Sequence, residues 1–120
     1  MAKIKIISND DNLILNFRFY TPQQYFYSII ILNNKTGEIL YKSQGQWDDQ
    51  TSFQIGKAKN LLGNLLTIHW SVIDTAGKGK NFNAEAIVTQ NNAECLDHLT
   101  CIGKTNDTTT YIPTNGLFIQ

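Results

Sequence analysis

The feature that most constrains the fold of this chain is the strict alternation of apolar and polar residues. In the segment LILNFRFY, residues 13–20, apolar side chains occupy every second position up to Phe19. Successive side chains of a β-strand point to opposite faces, so this pattern predicts a strand with one buried and one solvated face. The segments LLTIHWSVID (65–74) and NFNAEAIVTQ (81–90) repeat the pattern. We therefore expect a protein built mainly of half-buried strands.

The spacing of the strand-like segments indicates how they are assembled. Turns rich in Gly, Asn and Asp separate them at roughly even intervals, and residues 91–107 break the pattern and are predicted to be a loop. The only helical signal is KAKNLLGN, where Gly63 is suited to end one short turn. No linker divides the chain. The sequence predicts one all-β domain over residues 1–120, an antiparallel β-sandwich of about seven or eight strands.

The segment WSVIDTAGKGKNFNAEAIVTQ, residues 70–90, is predicted to form a hairpin through the turn DTAGKGK. It resembles the penultimate hairpin of immunoglobulin-like and fibronectin type III-like domains, in which a strand ending in Asp-x-Ala-Gly turns back into an alternating strand. The resemblance implies an immunoglobulin-like sandwich and no particular chemistry. The chain departs from the antibody pattern because it lacks the cysteine pair that joins the two sheets.

The charge balance excludes two classes of partner. Lys and Arg number 10, Asp and Glu also number 10, and no charge run occurs, so a nucleic-acid or anionic-membrane surface is not expected. Because the net charge is zero, copies of the chain repel one another little, so a homo-oligomer is consistent with the composition. The longest apolar run, Ile29 to Leu32, is far too short to span a bilayer, and residues 1–12 do not resemble a signal peptide. The chain as written is expected to be cytoplasmic, or secreted if a signal was removed.

The segment CLDHLTC brings together the residue types most associated with metal binding and nucleophilic chemistry. The segment would supply three zinc ligands, Cys95, His98 and Cys101. A structural zinc site has four ligands, which usually come in pairs from two elements. A disulfide between the cysteines would stabilise by about 2 kcal/mol but needs an oxidising compartment, so two free thiols are the favoured interpretation. Nothing in the sequence places a thiol beside His98 or His69. We predict no metal, no cofactor and no catalytic residue.

The segment QGQWDDQT, residues 44–51, places one tryptophan among polar residues and is the candidate ligand site. Stacking on an aromatic ring, with amides and carboxylates around it, suits the apolar face and the hydroxyl rim of a sugar. Asn and Gln together also outnumber the charged residues of this chain. The alternative is that the ring covers the open end of the core, and Asp pairs in such loops are also explained by turn formation. The predicted ligand-binding residues are Gln46, Trp47, Asp48, Asp49 and Gln50.

The sequence thus favours a binding function over catalysis. The leading hypothesis is a lectin-like, carbohydrate-binding protein whose loop site is centred on Trp47. Tyr20, Tyr25 and Tyr27 form a second aromatic group, although the last two continue a strand. The alternative hypothesis is a protein-interaction or self-assembling module that pairs through an exposed strand edge. The third hypothesis is an enzyme whose active site combines Cys95 or Cys101 with a histidine.

Overall fold

The protein is built from two β-sheets that face each other across one hydrophobic core. A computed structural model describes residues 3–73, 80–95, 97–105 and 109–120, and for residues 109–115 and 117 it describes the backbone alone. These residues form ten strands and one helical turn, α1 (Ala58–Leu61). The prediction of an all-β chain is confirmed, but ten strands replace the seven or eight expected. Two of the ten, β1 (Lys3–Ile4) and β8 (Ala93–Glu94), contain only two residues each.

The first sheet, sheet A, runs in the order β1-β10-β6-β3-β4. All its neighbouring strands are antiparallel except β1 and β10, which are parallel with Ile4 opposite Ile119. Strand β4 lies at the edge and pairs with β3 alone in the described part of the chain. The bounds of its remaining strands are β3 (Gln24–Leu32), β4 (Ile39–Gln46), β6 (Leu65–Ile73) and β10 (Thr109–Ile119).

The second sheet, sheet B, runs in the order β5-β2-β7, and the far edge of β7 pairs with both β8 and β9. All of its pairings are antiparallel. The bounds of its longer strands are β2 (Asn12–Phe19), β5 (Ser52–Lys57), β7 (Asn81–Gln90) and β9 (Leu99–Lys104).

The core lies where the inward faces of the two sheets meet. Aromatic rings from both sheets join at its centre: Phe17 of sheet B stacks on Tyr27 of sheet A with ring centroids 3.8 Å apart, and Trp70 meets Phe17 edge-on at 5.4 Å. Offset-stacked and edge-to-face pairs of this kind stabilise beyond the area they bury. The alternation predicted for β6 and β7 is confirmed, since both inward faces are buried: Leu66, Ile68, Trp70 and Val72, and Phe82, Ala84, Ala86 and Val88.

The predicted hairpin between β6 and β7 is wrong. Strand β6 pairs with β3 and β10 in sheet A, whereas β7 pairs with β2, β8 and β9 in sheet B. The chain therefore crosses from one sheet to the other between them, and residues 74–79 of the predicted turn lie outside the described residues. Alternation shows which face of a strand is buried, but two facing sheets bury equivalent faces, so the pattern does not assign a strand to a sheet.

Two further differences concern the last third of the chain. Residues 91–107, predicted to be a loop, contain β8 and β9. The alternation of β9 was obscured because its buried positions include Cys101 while Ile102, on the solvent side, is 65% exposed. The two short strands predicted at 109–112 and 117–119 are one strand, β10, whose register shifts between Ile112 and Asn115. The predicted helical turn is confirmed, and Gly63 follows it with φ of 82°.

Candidate functional site

A groove of about 490 Å³ lies at the β4 side of sheet A. Its lining comes mostly from the outward-facing positions of three adjacent strands, because strand register brings these positions together. Phe26 of β3 pairs with Gln46 of β4 on one side and with Ser71 of β6 on the other. Ser28, the next outward residue of β3, is flanked in the same way by Gln44 and His69. Asp49 also lines the groove.

Trp47 combines features of both interpretations of the sequence. Its side chain is half-buried and packs against the hydrophobic core, as a core lid would. Its ring also meets the ring of Phe26 edge-on, with centroids 5.5 Å apart, and its backbone N–H donates to the carbonyl of Tyr25 at 2.9 Å. Trp47 is not among the residues that line the groove. Phe26 is the aromatic side chain that faces the groove from the sheet, and Trp47 supports it from one edge.

The other four predicted site residues divide between the groove and the loop. Gln46 and Asp49 line the groove, whereas Asp48 and Gln50 do not. The Gln46 amide donates to the Asp48 carboxylate at 2.8 Å, and the Gln50 amide donates to the backbone carbonyl of Ser52 at 2.9 Å. Asp48, Asp49 and Gln50 are exposed to solvent. The structure thus brings two of the five predicted residues into one concave surface with side chains from β3 and β6.

The loop beside the groove is tied to the core from below by Tyr27. Its hydroxyl lies 3.1 Å from the carbonyl oxygen of Gln46 and also contacts that of Gln50. Burial, followed by the nearby charges of Asp49 and Asp48, raises the pKa of Tyr27 to about 12, so the hydroxyl keeps its proton and donates. This contact fixes both ends of the turn that carries Trp47. The groove wall is therefore held in place before any ligand arrives.

The chemistry of the groove is that of neutral polar recognition. Its described lining offers amides from Gln44 and Gln46, hydroxyls from Ser28 and Ser71, and one carboxylate, Asp49, around the ring of Phe26. Amides and hydroxyls both donate and accept hydrogen bonds, so they match a ligand whose groups do the same. The described lining contains neither Lys nor Arg, so it offers no permanent positive charge to an anionic ligand. A charged phosphate or sulfate is a poor fit.

The second aromatic group predicted from the sequence does not come together as a site. Tyr25 and Tyr27 are buried in the core, and Tyr20 lies exposed at the end of β2. The hydroxyl of Tyr20 donates to a carboxylate oxygen of Glu85 on the outer face of sheet B, and this raises the pKa of Tyr20. The three tyrosines therefore serve different parts of the fold.

The two cysteines are free, buried thiols, so the disulfide alternative is not formed and two free thiols are present instead. Cys95 donates its backbone N–H to Val88, whereas Cys101 pairs with Ala84 of the same strand. Four residues along a strand correspond to roughly 13 Å, well beyond the reach of a disulfide. Burial raises the pKa of both thiols, that of Cys101 to about 12, which makes them poor nucleophiles.

His98 contacts two carboxylates on the outer face of sheet B. Its Nδ1 lies 2.8 Å from Glu85 Oε2 and its Nε2 lies 2.6 Å from Glu94 Oε1. Both ring nitrogens are thus engaged, and the two cysteines are on the buried side of the sheet. Among the described residues, no group of three His, Cys, Asp or Glu side chains is arranged to hold a metal ion.

Gln44 belongs to the candidate segment predicted from the sequence and does line the groove. Sequence reasoning missed the other outward-facing residues of the groove: Phe26, Ser28, His69 and Ser71. The signal that could have found them is the outward half of each alternating pattern, but only the strand register shows which outward residues are neighbours.

In the described part of the chain, no helix is long and apolar enough to cross a membrane. The chain matches no known protein-family model, and neither a curated protein nor a solved structure is significantly similar to it.

Proposed function

We propose that this protein is a non-catalytic, lectin-like binding protein that takes a neutral saccharide in the groove of sheet A, on an immunoglobulin-like sandwich. The single observation that carries the proposal is the arrangement around Phe26. An aromatic ring on a sheet face is flanked by two glutamine amides, serine hydroxyls and one carboxylate within one concave surface of about 490 Å³. That volume lies within the range of small-ligand pockets.

The proposal assigns a role to each side of the groove. Phe26 offers its ring to the apolar C–H face of a pyranose, and Gln44, Gln46 and Asp49 hydrogen-bond the hydroxyl groups at its rim. Trp47 is a positioning residue in this arrangement, because its ring supports Phe26 and its backbone N–H extends the pairing of β4 with β3. The absence of Lys and Arg from the described lining favours neutral sugars over acidic ones.

A glycan-array screen with matched variants tests the proposal. We expect the wild-type protein to bind neutral glycans, and Phe26→Ala to weaken the bound signal by about tenfold, equivalent to roughly 1.4 kcal/mol. Ile30→Ala is the control, because Ile30 faces outward from the same strand but lies outside the groove. Circular dichroism and urea unfolding would establish that both variants fold. Absence of glycan binding by the wild type, or equal loss in both variants, would contradict the proposal.

A second function, self-assembly, is favoured by the edge of sheet A. Strand β4 is eight residues long and pairs on one side only in the described part of the chain, which leaves backbone groups available to another strand. At one end of this edge Leu32 is 40% exposed and Ile39 is 54% exposed. Charged residues on an edge strand discourage such pairing, and β4 carries only Lys42.

Sedimentation analysis of wild type and Ile39→Lys separates the two functions. We expect the wild-type mass to rise above that of a monomer with concentration if β4 pairs between copies, and Ile39→Lys to restore the monomer without affecting glycan binding. Lys42→Glu is the control for a change of charge on the same strand. A wild-type protein that remains monomeric at all concentrations would exclude self-assembly through this edge and leave the saccharide proposal untouched.

A further inference from the structure

The outer face of sheet B carries a bridge in which one imidazole joins two carboxylates from different strands. We call this cluster of Glu85, His98 and Glu94 the His98 bridge. Glu85 projects from β7 and Glu94 from β8, and His98 lies just before β9. The nitrogen–oxygen distances are 2.8 Å to Glu85 and 2.6 Å to Glu94, both short, as in hydrogen bonds between charged groups.

The number of protons on the ring follows from this geometry. Each ring nitrogen faces an oxygen of an ionisable carboxylate, which has no hydrogen to donate when it is charged. A neutral imidazole carries one N–H, so one of its nitrogens would oppose a carboxylate with a lone pair. Only the doubly protonated ring donates to both carboxylates at once. The arrangement is therefore that of an imidazolium between two anions.

The bridge spans an apolar position on the outer face of the sheet. Ile87 points outward from β7, on the face opposite to that of Ala86 and Val88. It does not belong to the hydrophobic core between the two sheets, yet its side chain is only 1% exposed. Glu85 lies two residues before Ile87, and Glu94 pairs with Thr89, two residues after it. The imidazole that bonds both glutamates therefore lies between them along β7, at the level of Ile87.

Other charged and polar groups hold Glu85 in place for this contact. Arg18 of β2 and Tyr20, which directly follows β2, approach the Oε1 atom of Glu85, with Arg18 at 4.0 Å, and leave Oε2 for His98. Asp97, the neighbour of His98 in the chain, is occupied by the backbone N–H of Lys3 at 2.9 Å. Thr100 is opposite Glu85 on β9. The cation between the glutamates is thus supplied by His98, while Arg18 reaches only the far oxygen of Glu85.

We propose that the His98 bridge is a proton-dependent connection that fastens β8 to β7 over Ile87 and opens when the imidazole loses its proton. Loss of that proton would turn one contact repulsive and leave β8, which has only two residues, with backbone pairing alone. Ile87 would then gain contact with solvent on the outer face of sheet B. Burial of the ring opposes its charge, but the bonds and charges of Glu85 and Glu94 outweigh it and raise the pKa of His98 above its ordinary value of 6.5.

Amide hydrogen exchange measured by NMR at two pH values tests this proposal. The reporter is the N–H of Cys95, which follows β8 and donates to Val88 at 2.8 Å. Expressed as a protection factor, which removes the intrinsic effect of pH, we expect its protection to fall at least about tenfold from about pH 5.5 to about pH 9. The control amide is Trp47 N–H, which is in sheet A and should keep its protection.

Two variants connect the effect to the proton on residue 98. His98→Gln cannot donate to both carboxylates from opposite edges of a ring, so Cys95 should be poorly protected at both pH values. His98→Arg keeps a permanent cation with several donors, so protection should be retained at both. The ring titration of His98, followed by NMR in the wild-type protein, should have the same midpoint as the loss of protection. Constant protection while His98 titrates, or pH dependence that persists in His98→Gln, would overturn the proposal.

Discussion

At Gly45, a hydrogen atom is the largest side chain that the fold accepts. A Cβ atom there would lie 2.7 Å from Tyr27 Cε2, 3.1 Å from the carbonyl oxygen of Gln50 and 3.1 Å from Phe53 Cζ. Two of these neighbours are aromatic rings of the core, which cannot move without disturbing the stack of Tyr27 on Phe17. We expect Gly45→Ala to lower the free energy of unfolding by about 1–3 kcal/mol, as overpacked cores do.

Urea unfolding followed by tryptophan fluorescence measures this change. Lys42→Ala, an exposed position on the same strand, is the control and should alter stability by less than about 0.5 kcal/mol. A Gly45→Ala protein as stable as the wild type would show that Tyr27 and Phe53 are not packed against this glycine.

The two thiols are predicted to be unreactive in the folded protein. Cys95 and Cys101 are 2% and 0% exposed, and burial raises the pKa of each. Because the thiolate is the reactive form, neither cysteine should react with a thiol reagent at neutral pH while the chain is folded. Both should react once the protein is unfolded in denaturant without a reducing agent. A denatured protein that shows no free thiol would instead establish a disulfide.

At the scale of the elements, the side chain of Gln90 has a structural role that the alternating pattern of apolar and polar residues does not predict. Its side chain, 1% exposed at the end of β7, accepts hydrogen bonds from the backbone N–H groups of Ile7 (2.6 Å) and Ser8 (3.1 Å). It donates to the carbonyl oxygens of Ser8 (2.7 Å) and Asp11 (3.1 Å). One amide thus bonds four backbone groups of the connection between β1 and β2, of which the Asp11 carbonyl also accepts from the backbone N–H of Ala58 at 3.1 Å.

Removal of this amide is expected to destabilise the protein. A buried backbone group left without a partner costs about 1–3 kcal/mol, and we expect roughly 2–4 kcal/mol in total for Gln90→Ala, since solvent reaches part of the connection. Gln90→Glu has the same shape but cannot donate, so it should lose a similar amount at neutral pH and recover part of it when protonated. Gln54→Ala, an exposed glutamine of β5, is the control. Equal stability of Gln90→Ala and Gln54→Ala in urea unfolding would refute this role.

The strands also show where the alternating pattern is informative. In β2 and β6 every inward position except Phe19 is buried, and these strands were predicted closely. Strand β9 was missed because a cysteine occupies one of its buried positions and an isoleucine one of its exposed positions. Its place in the fold depends on pairing with β7, which is a long-range interaction.

At the scale of the whole molecule, the pH dependence of stability follows from the outer face of sheet B. The hydrogen bond from Tyr20, and then those from His98, lower the pKa of Glu85 below its ordinary 4.5, although burial opposes this. A carboxyl group whose pKa is lower in the folded than in the unfolded protein stabilises the fold at pH values above its unfolded pKa. This contribution is lost as the pH falls through its folded pKa. His98, whose pKa is raised in the folded protein, stabilises the fold at pH values below its ordinary pKa of 6.5. This contribution is lost as the pH rises through the folded pKa of His98.

Both contributions are therefore complete between the ordinary pKa values of 4.5 and 6.5. We expect the urea midpoint to be highest in that interval and to decline on either side. The alkaline decline should disappear in His98→Gln, and Glu85→Gln should remove the contribution of that carboxyl to the acid decline. These effects are modest, because His98 is 36% exposed and water screens its charge. A His98→Gln protein with an unchanged alkaline decline would assign it to another group.

The sequence by itself determined the all-β class, the buried faces of the long strands and the helical turn before Gly63, because these depend on local periodicity and on backbone preferences that each segment carries alone. Only the tertiary structure decided that β6 and β7 lie in different sheets, that Phe26 rather than Trp47 faces the groove, and that His98 meets two glutamates. These features depend on which strands pair with one another and in which register, and the pairings join separate segments of the chain. Burial of one face excludes a one-residue slip of register, but the hydrophobic effect is non-directional and does not choose the partner strand or distinguish shifts by two residues.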